Sequence, residues 1–296
     1  MKISGGWAWI ATGLIILSSC QGVENSNETT DDNMSFSVTP NDTLSENEAI
    51  VYVLPSPLQV SSILELLNVK YDGSLIIHSG QPKSYGTASA KAMNLGITII
   101  DLGYASVFND LQSHSSKVDE VTNLMGELGL PAPTEIPEIN SSKILMKDES
   151  LKKSGMKFLK EIERHFTMAE DKKIAFMVMS GLFVEGLYLI TETYDAQLAG
   201  NYKSLLVKNS FENLMLQHQV FLENLQELLA PYQDDKEVEI LLAYFNLLYS
   251  DFQDVNISYF YDSIEKRIVD ISLNRNEIKK VADRIKVIRN QIINRS

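Results

Sequence analysis

The 296-residue chain contains a single cysteine, Cys20, and therefore cannot form an internal disulfide. Any stability in an oxidising compartment has to come from the packing of side chains. Basic residues are also scarce in the first quarter of the chain, since no Lys or Arg occurs between Lys2 and Lys70. The formal net charge of −13 at pH 7 disfavours a nucleic acid as partner.

Motifs that identify catalytic or cofactor sites are missing as well. The sequence has no HExxH, GxSxG, P-loop, GxGxxG or CxxC pattern. Its four histidines are spread along the chain, and His218 stands out because it lies in a helical packing seam between Leu214 and Phe221. We expect His218 to be a core histidine with one hydrogen bond, and a metal or haem ligand is the alternative. We predict no cofactor and no enzymatic activity.

The first twenty residues have the pattern of a bacterial lipoprotein signal. An apolar run extends from Trp7 to Leu17, and Ser18 and Ser19 place small residues directly before Cys20. The run is too short for a bilayer-spanning helix, which needs roughly 20 residues. We therefore predict cleavage before Cys20 and a lipid anchor on its thiol. An ordinary secretory signal that leaves Cys20 free is the alternative.

The residues after Cys20 have the composition of an acidic tether. They are rich in Asn, Ser, Thr, Asp and Glu and poor in large apolar side chains, so they cannot bury enough surface to fold. Gln21, rather than the aspartate that is the familiar retention signal, follows the cysteine and favours the outer membrane. The chain is thus predicted to comprise a signal peptide (1–19), a disordered tether (20–49) and one folded domain (50–296).

Hydrophobic periodicity predicts that this domain is an all-α bundle or array of about eight helices. No strand pattern of comparable strength is present, although residues 257–273 are compatible with either an extended or a helical structure. Two central helices, about 84–109 and 172–194, are apolar around most of their circumference and are expected to be buried. The first predicted helix begins near residue 57. The other predicted helices extend over about residues 84–109, 115–129, 148–167, 172–194, 203–229, 235–252 and 276–294.

Each of the two central helices contains a carboxylate within its apolar stretch, Asp101 in the first and Glu185 in the second. A buried carboxylate is costly unless it is paired, hydrogen-bonded or protonated. Helical spacing makes Asn94, Tyr104 and Tyr188 candidate donors. The sequence predicts either a closed structural network or the polar floor of a ligand pocket between the helices.

Glycines and a basic terminal helix complete the pattern. Gly96 and Gly181 lie in the central helices, where they indicate a close helix contact or space kept for another group. The last helix combines a stripe of isoleucine and valine with many Lys and Arg residues. We expect its apolar stripe to pack into the domain, and binding of its basic side to a membrane or a partner is the alternative.

Short segments of the central helices resemble a group of uncharacterised helical lipoproteins from Bacteroidetes-type bacteria. The segments are residues 92–96 (AMNLG), 101–104 (DLGY) and 184–189 (VEGLYL), with Pro57 and Leu58 at the start of the domain. The resemblance covers about residues 50–296. It implies an all-helical fold and an envelope location, and it implies no particular activity.

Taken together, these patterns predict a lipoprotein held at the outer membrane by Cys20. Its helical body is expected to bind a partner protein of the envelope or a small ligand, or to have a structural role. The alternatives are an envelope hydrolase that uses Asp101 and Glu185 as acid and base, and a metal or haem carrier built on His218.

Overall fold

A computed structural model of the chain describes residues 35–38, 52–55, 57–77, 85–131, 157–162, 171–199, 205–264 and 267–294, together with residues 153 and 155. The signal sequence and Cys20, on which the predicted lipid anchor depends, lie outside the described residues. All of the described residues belong to one compact unit, Met34–Ser296.

Helices make up most of the described part of the chain, which confirms the prediction of an all-α, multi-helix fold. The seven longest are α1 (Pro57–Leu66), α2 (Ala88–Val107), α3 (Leu111–Glu127), α4 (Lys172–Ala199), α5 (Leu205–Leu229), α6 (Lys236–Gln253) and α7 (Arg275–Ile293). Residues 157–162 are also helical, and a short 3-10 turn, Ala230–Tyr232, joins α5 to α6.

Local sequence signals set several helix ends. The Thr87 hydroxyl accepts a hydrogen bond from the Ala90 N–H at 3.1 Å, so α2 begins at Ala88 rather than at about residue 84. Asp235 caps α6 by accepting a hydrogen bond from the Glu237 N–H at 2.9 Å. Gly129 follows α3 with a φ of +68°, the left-handed conformation predicted for a glycine at the end of a helix.

The two helices predicted to be central do form the core. Eighteen of the twenty residues of α2 are buried. This helix packs against α1, α3 and α4, and α4 also contacts α5 and α7. Residues Lys172–Tyr194 of α4 are long and apolar enough to cross a membrane, but the apolar window of 18 residues within them is completely buried inside the protein. We interpret α4 as a core helix for this reason.

The backbones of α2 and α4 touch at two glycines. A Cβ atom on Gly96 would overlap the carbonyl oxygen of Val178 and lie 2.7 Å from the backbone nitrogen of Leu182. A Cβ atom on Gly181 would overlap the carbonyl oxygen of Met93. Of the two roles that the sequence left open for these glycines, the structure therefore shows close helix contact.

Part of the range 20–49, for which the sequence predicts a tether, is described as a strand. Strand β1 (Ser35–Val38) pairs in antiparallel register with β2 (Tyr52–Pro55), with Phe36 opposite Leu54. A strand of four residues is too short to produce a visible alternation, and its hydrogen-bonding partner lies more than a dozen residues away. The folded unit accordingly begins at Met34 rather than at about residue 50.

Residues 257–273, which were compatible with two structures, form a β-hairpin. Strand β3 (Ile257–Asp262) pairs antiparallel with β4 (Arg267–Leu273), and Tyr259 lies opposite Ile271. Aromatic and β-branched residues make up most of β3 and recur in β4, and a pleated surface favours such residues. The register shifts at Phe260 and Tyr261, so Val269 forms a bulge in β4.

The terminal helix α7 packs as the sequence indicates. Its apolar stripe, Ile278, Val281, Ile285, Ile288 and Ile292, is buried. Much of its basic side forms ion pairs: Lys280 with Asp254, Arg284 with Asp251, and Lys286 with Glu192. The positive charges of α7 thus neutralise neighbouring acidic groups of the same domain.

We predict that Gly96→Ala lowers the free energy of unfolding by about 3 kcal/mol or more, because the added methyl group meets backbone atoms that cannot rotate away. Urea unfolding of the purified protein measures this effect. The matched control is Gly126→Ala in α3, where an added Cβ has no atom within 4 Å. That variant should gain roughly 0.5–1 kcal/mol, since alanine restricts the unfolded chain. Equal effects of the two substitutions would contradict the close contact.

Candidate functional site

The strongest polar feature of the core is an ion pair between α4 and α7. Arg289 Nε lies 2.5 Å from Glu185 Oε2, and Arg289 Nη2 lies 2.7 Å from Glu185 Oε1. The pair is bidentate, the geometry in which a guanidinium binds a carboxylate most strongly. The side chain of Glu185 is fully buried and that of Arg289 is 9% exposed.

Two further contacts hold the guanidinium of Arg289. Its Nη2 donates to the carbonyl oxygen of Leu75 at 3.1 Å, in the loop that follows α1. Its Cζ lies 4.1 Å from the centroid of the Tyr188 ring, a cation–π contact. Arg289 therefore links α4, α7 and the loop after α1.

A second buried ion pair joins α2 to α3. Lys117 Nζ lies 3.4 Å from Asp101 Oδ2 and donates to Glu120 Oε2 at 2.9 Å. Asp101 Oδ2 also accepts a hydrogen bond from the Ile77 N–H at 3.1 Å. The Lys117 side chain is 1% exposed and that of Asp101 is fully buried. We call the five side chains Asp101, Lys117, Glu120, Glu185 and Arg289 the charge network.

The two ion pairs meet where the carboxyl groups of Asp101 and Glu185 face each other. Burial raises the pKa of Glu185, the neighbouring Asp101 raises it further, and Arg289 opposes both effects. Asp101 Oδ1 is buried and has no donor among the described hydrogen bonds.

The charges of the network largely compensate each other. Burial acts to lower the pKa of Lys117 and of Arg289, but the acidic groups around each cation together outweigh burial and raise both pKa values. Both cations are therefore charged at neutral pH. The network thus combines three carboxyl groups with two cations. Such compensation of charge suits a site removed from water.

The structure brings together some of the predicted site residues and separates others. Asp101, Glu185 and Tyr188 belong to the same cluster. The Asn94 side chain donates instead to the carbonyl oxygens of Ala90 and Ile292. The Tyr104 hydroxyl accepts a hydrogen bond from the Asp72 N–H. In the described hydrogen bonds Asn94 and Tyr104 thus bind backbone groups rather than these carboxylates.

Sequence reasoning missed Lys117 and Arg289, although a signal for each was present. Arg289 follows Ile285 by four residues and precedes Ile292 by three, which places it on the buried stripe of α7. Lys117 lies three residues after His114 and four before Val121, both of which are buried on α3. A cation at a core-facing position requires a buried anion.

The geometry favours a closed network over the polar floor of a pocket. Asp101 and Glu185 have no exposed surface, and each is engaged by a cation. A hydrolase that used them as acid and base would need both to reach a substrate in an open cleft. In the part of the chain that the structure describes, no three His, Cys, Asp or Glu side chains are close enough to hold a metal ion.

His218 lies where the sequence places it, in the core between α5 and α4. Its Nδ1 donates to the Leu214 carbonyl oxygen at 2.8 Å, which is the single hydrogen bond expected of a core histidine. Its ring packs against Phe183 and Phe221. Burial lowers the pKa of His218 to about 4.

His114 is a second buried histidine. It forms a hydrogen bond between Nδ1 and Ser106 Oγ at 2.8 Å. Ser106 Oγ in turn donates to the Leu102 carbonyl oxygen, so the hydroxyl proton is already used. Burial lowers the pKa of His114 to about 4 as well, and both imidazoles are neutral at pH 7.

Comparison of the chain with protein-family models, curated proteins and solved structures gave no match. The resemblance to uncharacterised Bacteroidetes-type lipoproteins accordingly stays a prediction from short sequence segments.

We predict that Arg289→Met lowers the free energy of unfolding by about 3–5 kcal/mol, because it leaves Glu185 buried without its counter-ion. Urea unfolding at pH 7 measures the loss. In the double variant Glu185→Gln with Arg289→Met, stability should partly recover, since the amide of Gln is neutral and can donate to Asp101.

The matched control for this experiment is Arg284→Met on the same helix. Arg284 pairs with Asp251 at 2.7 Å, but its side chain is 36% exposed. Solvent screens such a pair, and its loss should cost at most about 1 kcal/mol. Similar losses in Arg289→Met and Arg284→Met would show that the charge network does not stabilise the fold.

We also predict that the two buried histidines destabilise the fold in acid. Their folded pKa of about 4 lies below the ordinary histidine pKa of 6.5, so the unfolded state binds more protons between these limits. The free energy of unfolding should fall as the pH drops from about 6.5 to 4, by up to about 1.4 kcal/mol per pH unit for each histidine. The raised pKa of Glu185 makes the free energy of unfolding change with pH in the opposite direction. Because variants of the two histidines all keep Glu185, its effect cancels when they are compared.

His218→Leu and His114→Leu should each flatten this pH dependence relative to the unsubstituted protein. Urea unfolding at half-unit steps from pH 4 to 8 tests the prediction. Above pH 7 the difference in free energy of unfolding between each variant and the unsubstituted protein should not change with pH. A variant that keeps the full slope between pH 4 and 6.5 would show that the substituted histidine is protonated in the folded state.

Proposed function

We propose that this protein is a lipid-anchored, non-enzymatic protein of the bacterial envelope, whose helical body binds a partner at its surface or has a structural role. The observation that carries this proposal is the closed charge network. The most unusual chemical groups of the core, Asp101 and Glu185, have no exposed surface and are paired with Lys117 and Arg289. Contacts with another molecule therefore have to use the outer surface of the body.

The anchor rests on the amino-terminal sequence. Cys20 is the single cysteine of the chain and directly follows an apolar run that ends in small residues. Thioether-linked and amide-linked acyl chains on that residue would hold the body at a membrane. Gln21 favours the outer membrane as the location.

The experiment that tests the anchor compares two variants of the full-length chain in bacterial cells fed a labelled fatty acid. The unsubstituted protein and Ser19→Ala, which keeps a small residue before the cysteine, should be labelled and should begin at Cys20. Cys20→Ser should carry no label and should keep its signal sequence, because the acceptor thiol is gone. Mass spectrometry of the amino-terminal peptide reads out both properties. An uncleaved or unmodified amino terminus in the unsubstituted protein would refute the proposed anchor.

A further inference from the structure

Strand β3 presents aromatic side chains to solvent. Tyr259, Phe260 and Tyr261 are 55%, 53% and 61% exposed, whereas large apolar side chains elsewhere in the described part of the body are mostly buried. Consecutive residues of a strand point to opposite faces of the sheet. Both faces of β3 are therefore apolar and accessible.

The hairpin has one edge that is covered by the helical body. At the outer edge of β4, Lys208 Nζ donates to the Ile271 carbonyl oxygen at 2.6 Å, and the Ile271 N–H points to Asn209 Oδ1 at 3.5 Å. The Leu273 N–H points to Glu212 Oε1 at 3.4 Å. Side chains of α5 thus occupy the backbone groups on this side of β4.

These contacts establish which backbone groups of β3 face outward. Because Ile271 directs its N–H and carbonyl oxygen away from β3, the pair of Ile271 with Tyr259 is a non-hydrogen-bonded pair of the antiparallel ladder. Tyr259 then directs its own N–H and carbonyl oxygen away from β4. Because the orientation of the backbone repeats at every second residue of a strand, the N–H and carbonyl groups of Ile257 and Tyr261 also point away from β4.

The outer edge of β3 also lacks the usual protection of an edge strand. Natural edge strands carry Lys, Pro or inward-pointing charges that prevent pairing with another chain. Residues 257–261 (ISYFY) contain no charge and no proline, and the first charge of β3 is Asp262 at its end. Such an edge accepts a further strand.

We propose that β3 pairs with β3 of a second copy of this chain, in antiparallel orientation about a two-fold axis at Tyr259. Tyr259 would face Tyr259 of the partner subunit as a hydrogen-bonded pair, and the two hairpins would form one four-stranded sheet. This inference goes beyond the proposed function and does not depend on the lipid anchor.

The sequence of β3 fits this register. About Tyr259, Ile257 of one copy meets Tyr261 of the other on one face, and Ser258 meets Phe260 on the opposite face. Asp262 meets the position of Asn256, so no like charges lie opposite each other. The net charge of −13 repels two copies only weakly at physiological salt, where charges are screened beyond about 8 Å.

Cysteine cross-linking of the full-length chain in cells tests the pairing. Cys20 is the single natural cysteine, so an acylated chain has no free thiol of its own. Tyr259→Cys would place two thiols opposite each other, since Cα atoms of a hydrogen-bonded pair lie about 5.5 Å apart, within the range that a disulfide spans. Treatment with an oxidant or a short bis-maleimide should convert most of this variant to a dimer of twice the chain mass.

The matched control is Ser263→Cys, at an exposed position just beyond β3. In the proposed register its two copies lie roughly 25 Å apart, which a short cross-linker does not span. It should stay monomeric under the same treatment. Equal dimer yields at both positions would indicate random collision and overturn the proposal, as would a lack of dimer at position 259 or an adduct with a different protein there.

A second variant covers the case in which a cysteine disturbs the hairpin. Tyr259→Lys keeps an exposed long side chain but places two positive charges opposite each other across the axis. The purified, detergent-solubilised chain should sediment as a dimer when unsubstituted and as a monomer with Tyr259→Lys, while the far-UV circular dichroism of both stays the same. If both sediment as monomers at micromolar concentration, or both as dimers, β3 is not the interface.

The unsubstituted chain separates failure of this inference from failure of the proposed anchor. A maleimide should leave it unlabelled when Cys20 is acylated. If it is labelled, the anchor fails, and the same pair of cysteine variants is then compared in a Cys20→Ser background. The result of that comparison alone then tests the pairing of β3 with β3.

Discussion

The contact between the backbones of α2 and α4 at Gly96 and Gly181 is the constraint on which the rest of the structure depends. It brings two nearly all-apolar helices closer than any side chain would permit. Asp101 follows Gly96 by five residues and Glu185 follows Gly181 by four. Close approach at the glycines therefore places the two carboxyl groups side by side in the core. The close packing of α2 on α4 thus buries two acidic groups together, and the surrounding helices have to supply the positive charges that pair with them.

The need to pair these two carboxyl groups determines how α3 and α7 dock on the core. Lys117 from α3 and Arg289 from α7 each supply one positive charge, and Leu75 and Ile77 from the loop after α1 supply a backbone acceptor and donor. Buried ion pairs add little net stability compared with an apolar core, but a mispaired charge in the interior is strongly unfavourable. The charge network therefore acts mainly on specificity, because a shifted α3 or α7 would leave a carboxylate unpaired.

A core of this kind leaves recognition to the surface, and the surface is uneven. The basic side of α7 is largely neutralised by acidic neighbours. The hairpin of β3 and β4 has one edge satisfied by α5 and another edge with aromatic side chains in solvent. In an acidic body, an uncharged strand edge is the feature best suited to association with another chain.

The sequence by itself determined the helices, the caps at Asp235 and Gly129, the buried stripe of α7 and the identity of the two core carboxylates. These features depend on residues within a turn or two of each other, so local periodicity and capping preferences reveal them. The tertiary structure alone decided which cations pair with Asp101 and Glu185, that Asn94 and Tyr104 bind backbone groups instead, and that Ser35–Val38 is a strand. Each of these outcomes joins groups that are distant in sequence, and local periodicity carries no signal for such contacts.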